Sequence, residues 1–293
     1  MRASVLVMGP LLARLGKVDV SLPGGCSIGA RPIDIHLDAF KKMGATVEIE
    51  GNKYIIKAKK LKGADIYLDF ASVGATINLM LAAVKASGTT NIYNAAKEPE
   101  IVNIATLLNN MGAKITGAGT SEIKITGVEK LSSGVIDVIP DRVEAGTYII
   151  MGALLGRDLT ISNIIEEHLD ALFSKLKEMG VEMFIRYNKV LISKPKELQA
   201  SNIKTQVFPG FPTDLGQPIT VLLTQAKGMS LFEETIYENR YGHIKYLQKM
   251  GADIRLADRV AMIQGPTKLN GCEVEATDLR AGAAMVIAGL LAK

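Results

Sequence analysis

Residues 37–49 read Leu37-Asp38-Ala39-Phe40-Lys41-Lys42-Met43-Gly44-Ala45-Thr46-Val47-Glu48-Ile49. Leu37, Phe40 and Met43 recur at helical spacing, and the last four residues alternate apolar with polar. This pattern predicts a helix with one wet face, stopped at Gly44 as a C-cap and turned at once into a short strand. The same signature returns at Met111-Gly112-Ala113, Met179-Gly180-Val181 and Met250-Gly251-Ala252, so the four glycines lie 68, 68 and 71 positions apart. A second mark keeps that beat: Asp69, Asp141, Asp214 and Asp278 each end an extended segment just before a small-residue helix, where Asp, Ser or Thr caps the first turn. Their spacings are 72, 73 and 64. One unit therefore holds two helices and several strands, which is longer than the common solenoid repeats.

Residues 77–86, 148–155 and 283–291 are apolar nearly all round, so these helices are expected inside, with sheets outside them. Helices over 36–43 and 167–179 should keep a wet face. Met1-Arg2-Ala3-Ser4 enters where Leu279-Arg280-Ala281-Gly282 stands in the last unit. About four periods plus a duplicated helix are expected, and the chain is read as partial at both ends.

At 293 residues the chain exceeds one typical core, which favours two domains, and 48% hydrophobic content suits a globular protein. A net charge of +4, with 34 dispersed basic residues, argues against a nucleic-acid groove or a polybasic membrane patch and favours small anionic ligands. Cys26 and Cys272 are distant and form no CxxC, so neither a disulfide framework nor a zinc knuckle is indicated, and the reducing cytoplasm is the expected compartment. His36, His168 and His243 lack metal-ligand spacing and are expected at the surface or as caps; no metal and no cofactor is expected. Gly9-Pro10 breaks the apolar run near the N-terminus and no small-x-small site follows, so it is not read as a signal peptide. No run reaches the ~18 apolar residues of a membrane span. Gly117-Ala118-Gly119 lacks a third glycine and reads as a turn rather than a dinucleotide fingerprint.

The loop Leu22-Pro23-Gly24-Gly25-Cys26-Ser27-Ile28-Gly29-Ala30-Arg31-Pro32 sets a thiol among glycines, five residues before an arginine. Glycines let backbone approach a ligand closely, and the planar guanidinium suits phosphate or carboxylate. On residue types alone, Cys26 is either a reactive thiol beside an anion or a buried, inert one in a turn.

Seven ordered segments decide between these alternatives: PGGCSIGARPID at 23–34, DFASVGAT at 69–76, AAKEPEIV at 95–102, PDRVEAGT at 140–147, FPTD at 211–214, YENRYGHI at 237–244 and ATDLRAGA at 276–283. Together they resemble the enolpyruvyl transferases over the whole chain. The cysteine loop points to the nucleotide-sugar branch, because it is not similar to the branch that acts on shikimate 3-phosphate. The resemblance implies an inside-out α/β barrel of βαβαββ units in two domains, here residues 1–139 with the cysteine loop and residues 140–293. It implies transfer of the enolpyruvyl group of phosphoenolpyruvate to the 3-hydroxyl of UDP-N-acetylglucosamine with release of phosphate, the first committed step of peptidoglycan synthesis.

By the same comparison Cys26 is the proton donor, and Asp214 is the base for the sugar hydroxyl or a helix cap. Arg2 and Arg31 belong to the anion site. Pro32, Ile33, Asp34 and Ile35 line the uracil and ribose, Ser72, Val73 and Gly74 form a turn near the diphosphate, and Ile236 offers a backbone contact to the nucleotide sugar. Glu98, Glu100, Asp141, Arg142, Asp278 and Arg280 are read as cap or interdomain residues. Phe70 departs from members that carry lysine there. The family's N-terminal Lys-Asn pair and its late arginine have no counterpart, so weak or no activity is expected of this chain alone, and a non-catalytic UDP-sugar-binding module of the same fold is the alternative.

Overall fold

The computed structural model describes residues 2–21 and 33–293. Cys26, Arg31 and Pro32 lie outside them, as does the side chain of Arg2. Contacts divide the described residues into two compact units that meet in sequence between Ile139 and Pro140.

The first unit opens with a 3-10 helix, Arg2–Val7, that runs into α1 (Met8–Leu15). There follow β1 (Lys17–Ser21), α2 (Asp34–Lys42), β2 (Thr46–Glu50) and β3 (Lys53–Lys57), then β4 (Asp65–Tyr67), α3 (Val73–Ala83), β5 (Thr89–Tyr93), α4 (Pro99–Asn110), β6 (Lys114–Thr116) and β7 (Glu122–Thr126). Its sheets run β1-β3-β2 and β4-β5-β7-β6. Only β4 and β5 are parallel, in the register Asp65↔Asn91, and the crossover that parallel pairing requires is α3.

The second unit contains α5 (Arg142–Leu155), β8 (Leu159–Ser162), a 3-10 turn Glu166–His168, α6 (Asp170–Glu178), β9 (Met183–Arg186), β10 (Lys189–Ile192), β11 (Leu198–Gln199) and β12 (Ile203–Lys204). A 3-10 turn Thr213–Leu215 then leads into α7 (Gly216–Leu223), β13 (Ala226–Glu233), α8 (Ile244–Lys249), β14 (Asp253–Ala257), β15 (Val260–Gly265) and α9 (Leu279–Leu291). β11 and β12 both pair parallel to β13, and β13, β15 and β14 are antiparallel. The strand-helix-strand-helix-strand-strand unit is thus complete around β4 and again around β12.

The Met-Gly signature has one local cause in all four places. Gly44, Gly112, Gly180 and Gly251 sit at φ 91°, 96°, 83° and 105°, a region that only glycine enters without a Cβ penalty. In each, the amide after the glycine reaches back to close the helix: Ala45 to the Phe40 carbonyl, Ala113 to Leu108, Val181 to Leu176 and Ala252 to Leu247, all 2.9 Å. The glycine amide bonds one turn back as well, giving the double closure of a Schellman motif.

The inner helices carry the cores. α3 buries Ala75 through Met80 without a break, and every residue of α7 is buried. α5, α7 and α9 pack on one another, and α3 packs on α1, α2 and α4, so helices lie inside each unit with sheets against them. Close approach is built in at Gly9, where a Cβ would fall 2.2 Å from the Asn78 carbonyl oxygen. α9 departs from the expected all-round burial. Ala281, Ala284, Met285, Ile287 and Ala288 are covered, while Leu279, Val286 and Leu290 stay exposed, because no described strand packs on that face.

Two of the three histidines are buried rather than at the surface: His36, and His243 at the N-cap position of α8 with no side-chain cap bond, are each held by an internal hydrogen bond, to Asn78 (3.0 Å) and to Thr220 (2.7 Å). Gly117 and Gly119 shape the β6–β7 turn, both at positive φ.

Candidate functional site

The turn at Ser72 in the first unit and the turn at Asp214 in the second each follow the carboxyl end of a parallel strand, where the crossover helix begins. In open α/β sheets this is the position at which ligands bind.

In the first unit, Leu68 to Ala71 lead out of β4 and Ser72 caps α3, its hydroxyl accepting the Ala75 amide at 3.3 Å. Ser72, not Asp69, therefore provides the cap expected on the aspartate beat. Val73 and Gly74 form the first turn of α3, whose leading amides have no partner within the helix. The strip from Ile33 to Ile35 opens α2: Ile33 is buried, Asp34 is exposed and accepts the Ile35 amide (2.9 Å). His36 brings strip and turn together, since a Cβ on Gly74 would lie 3.4 Å from its Cε1. Asn78 fixes that ring. Its Oδ1 accepts the Gly9 amide (2.6 Å), so its Nδ2 must donate to the Val5 carbonyl (2.9 Å) and to His36 Nδ1 (3.0 Å). The neutral ring then carries its proton on Nε2, an assignment made from the hydrogen-bond network. Phe70, where a lysine stands in some members, is 46% exposed.

In the second unit, Asp214 lies in the short 3-10 turn before α7 and does not cap it. Its carboxylate faces two arginines instead. Arg240 Nη2 donates to Oδ1, and Arg280 Nη2 donates to Oδ2 at 3.3 Å. Burial pushes the Asp214 carboxyl up, but the two guanidiniums outweigh it and hold it below the usual carboxylate range. Arg240 is buried, its side chain 3% exposed; Nη1 donates to Thr213 Oγ1 (2.7 Å), and the guanidinium lies 5.1 Å from the Tyr237 ring centre.

Asp278 does cap: its Oδ1 accepts the Arg280 and Ala281 amides at 2.9 and 3.0 Å, and Gln217 Nε2 donates to Oδ2 at 3.0 Å. Burial raises the Asp278 carboxyl, and these donors bring it below its ordinary value. Asp141 caps α5 likewise, accepting from Val143 and Glu144. So the four aspartates on one beat do different things: two cap, one yields to a serine, and Asp214 is turned toward arginines.

Ile236 is half-buried, and its amide donates to Glu234 Oε1 at 2.8 Å. Glu234 itself is 1% exposed. Arg240, Arg280, Thr213 and Glu234 join the site, although the sequence reading takes Arg280 as a cap or interdomain residue and does not single out the other three. The signal for Glu234 is the period of two in β13. Ser230 and Phe232 face inward, and Glu234 continues their face just past the strand's end, a carboxylate where an apolar residue belongs. Among the described residues no group of three His, Cys, Asp or Glu side chains is arranged to hold a metal ion, and no helix is long and apolar enough to cross a membrane.

Helices inside sheets, repeated on a seventy-residue beat with helix-starting turns beyond the parallel strands, define an α/β repeat protein. The family model described as EPSP synthase (3-phosphoshikimate 1-carboxyvinyltransferase) matches residues 1–293, and the chain belongs to that family of enolpyruvyl transferases. It is 53% identical over 293 residues to UDP-N-acetylglucosamine 1-carboxyvinyltransferase 2 of Listeria monocytogenes, covering 100% of this chain and 69% of that protein. UDP-N-acetylglucosamine 1-carboxyvinyltransferase of Clostridium botulinum is also 53% identical, with 100% and 70% covered. Among solved structures, the enolpyruvyl transferase NikO from Streptomyces tendae superposes with a TM-score of 0.90 at 24% identity, covering 100% of this chain and 70% of that one. EPSP synthase from Acinetobacter baumannii gives 0.71 at 22% identity, covering 98% and 71%.

Proposed function

We propose that the protein transfers the enolpyruvyl group of phosphoenolpyruvate to the 3-hydroxyl of UDP-N-acetylglucosamine, releasing phosphate, in the cytoplasm and at the entry to peptidoglycan synthesis. The observation that carries this is the 53% identity, unbroken over the whole chain, to relatives that bear the name of that activity.

Residues 1–139 act as the cysteine-loop domain and residues 140–293 as its counterpart. In the addition step the sugar oxygen bonds to C2 of phosphoenolpyruvate while Cys26 delivers a proton to the methylene carbon. Asp214 receives the hydroxyl proton. A carboxylate held low by Arg240 and Arg280 is a good hydrogen-bond acceptor and a weak base, so it takes the full proton only as the oxygen commits to carbon. In the elimination step the methyl carbon returns a proton to the Cys26 thiolate, its C–H pair forms the new C=C bond, and the C2–O bond to phosphate breaks as phosphate leaves. Arg2 and Arg31 neutralise the phosphate and carboxylate of the adduct. Pro32, Ile33, Asp34 and Ile35 line the uracil and ribose, the amides of Ser72, Val73 and Gly74 serve the diphosphate, and the Ile236 backbone meets the sugar. No metal or cofactor takes part, and neither nucleic acid nor membrane is a partner.

Phosphate release from phosphoenolpyruvate is the test. With the protein extended at both ends by the flanking segments of its relatives, release that requires UDP-N-acetylglucosamine and disappears in Cys26→Ser supports the reading; release that survives Cys26→Ser, or no release from that extended protein, counts against it.

A further inference from the structure

The Glu234 carboxyl group, 1% exposed, sits where the ends of β12 and β13 diverge. Its Oε1 accepts three donors: Thr205 Oγ1 at 3.0 Å, the Ile236 amide at 2.8 Å and the Tyr237 amide at 3.2 Å. Its Oε2 accepts the Thr213 hydroxyl at 2.7 Å. Thr213 has one proton to give and gives it to Glu234, so its oxygen is left to accept Arg240 Nη1, also at 2.7 Å. Arg240 in turn donates to Asp214 Oδ1. The backbone around the carboxylate is tied as well: the Thr235 amide donates to Thr205 Oγ1 (2.8 Å), the Thr235 hydroxyl to the Thr205 carbonyl (2.6 Å), and the Glu234 amide to Tyr241 Oη (3.0 Å).

We infer that Glu234 is a positioning residue for the nucleotide sugar, setting the 235–237 segment with one carboxylate oxygen and the Asp214 turn with the other. The inference rests on the reading above that the Ile236 backbone and Asp214 meet that sugar. A buried carboxylate with both oxygens occupied costs desolvation and is retained where its donors need fixed places. Here the donors belong to the two segments that must be spaced to fit one sugar. An apolar residue would fill the volume equally well and would leave four donors unsatisfied and both segments free to settle elsewhere.

Calorimetry with UDP-N-acetylglucosamine on the intact protein tests this, with amide hydrogen exchange on the same samples. Glu234→Leu fills most of the volume and removes both acceptors, so the Ile236 and Tyr237 amides lose their partner. Its expected outcome is a tenfold or larger loss of affinity for UDP-N-acetylglucosamine, exchange at the Ile236 and Tyr237 amides at least tenfold faster, and exchange in the centre of β13 unchanged. Thr213→Val cuts only the link from Glu234 to Arg240 and is expected to weaken binding about fivefold, with the two amides still protected. A folded Glu234→Leu protein that binds within twofold of wild type overturns the inference, as does weakened binding with the two amides still protected. A destabilised Glu234→Leu protein shifts the decision to Thr213→Val, where unchanged affinity overturns it. Failure of the wild type to bind UDP-N-acetylglucosamine instead refutes the reading of the ligand, and the inference with it.

Discussion

Lowering the pH from 7 to 5 loads a proton onto the unfolded form of residues 140–293 that the folded form refuses, and His243 is the group responsible. Thr220 donates its hydroxyl proton to the Gln217 carbonyl (2.7 Å), so its oxygen must accept from His243 Nε2 (2.7 Å). A second proton would have to enter at Nδ1, which is buried and has no hydrogen-bond partner among the described residues. Burial is the largest influence and lowers the imidazole; the nearby Arg240 charge lowers it further and Asp278 opposes, leaving it at about 3 against an ordinary 6.5. Between those values the unfolded chain binds a proton and the folded one does not. Stability is therefore full above 6.5 and falls as the pH drops toward 3, at about 1.4 kcal/mol per pH unit.

From pH 7 to pH 5 the loss attributable to this ring is about 2 kcal/mol. Asp214 and Asp278 act in a lower window. Their carboxyls are depressed, so the stability they add is present above the usual carboxylate range and is lost only as pH falls through it. Urea unfolding at pH 7 and pH 5, read by hydrogen exchange of the α7 amides so that the signal belongs to this unit, should show the loss in wild type. His243→Gln keeps a donor for Thr220 and removes the titration, and should flatten the pH dependence by about 2 kcal/mol. Equal pH dependence in the two proteins would refute the assignment of the ring as neutral and buried.

Three further outcomes follow from the first unit and the caps. Asn78→Leu removes the partner of the Gly9 amide, the Val5 carbonyl and His36 at once; urea unfolding should show a loss of about 3 kcal/mol or more. Gly9→Ala places a methyl against the Asn78 backbone, so thermal unfolding of the first unit should shift down by several degrees, whereas Gly44→Ala meets open space and costs only the strain of its positive φ. Asp141→Ala should cost about 1 kcal/mol through its lost cap, while Asp69→Ala, whose place is taken by Ser72, should be near neutral; equal losses in the two would contradict the assignment of caps.

The repeat was legible because its punctuation is local. A helix pattern, a glycine that must take positive φ and an alternating strand lie within thirteen residues, and all four copies fold as read. The aspartate beat was only half legible. Asp141 and Asp278 meet helix amides two and three residues on, a spacing that sequence displays. The partners of Asp214 lie 26 and 66 residues away, and nothing near it in sequence announces them. The buried imidazoles escaped for the same reason, since Asn78 and Thr220 sit on other helices. Alternation in β13 did carry the position of Glu234, and reading it required treating a charged residue on an inward face as a signal.

The four Met-Gly turns bear on the order of folding events. Each closing bond spans no more than five residues, so each helix end is specified before any distant segment arrives. Elements shaped this early hand the growing sheets strands that already point the right way, and what remains slow is the parallel pairing of β4 with β5 and of β12 with β13, each of which waits for a whole helix to cross between them. The segments beyond those parallel strands, where the candidate ligand groups stand, would then be the last places in each unit to take shape.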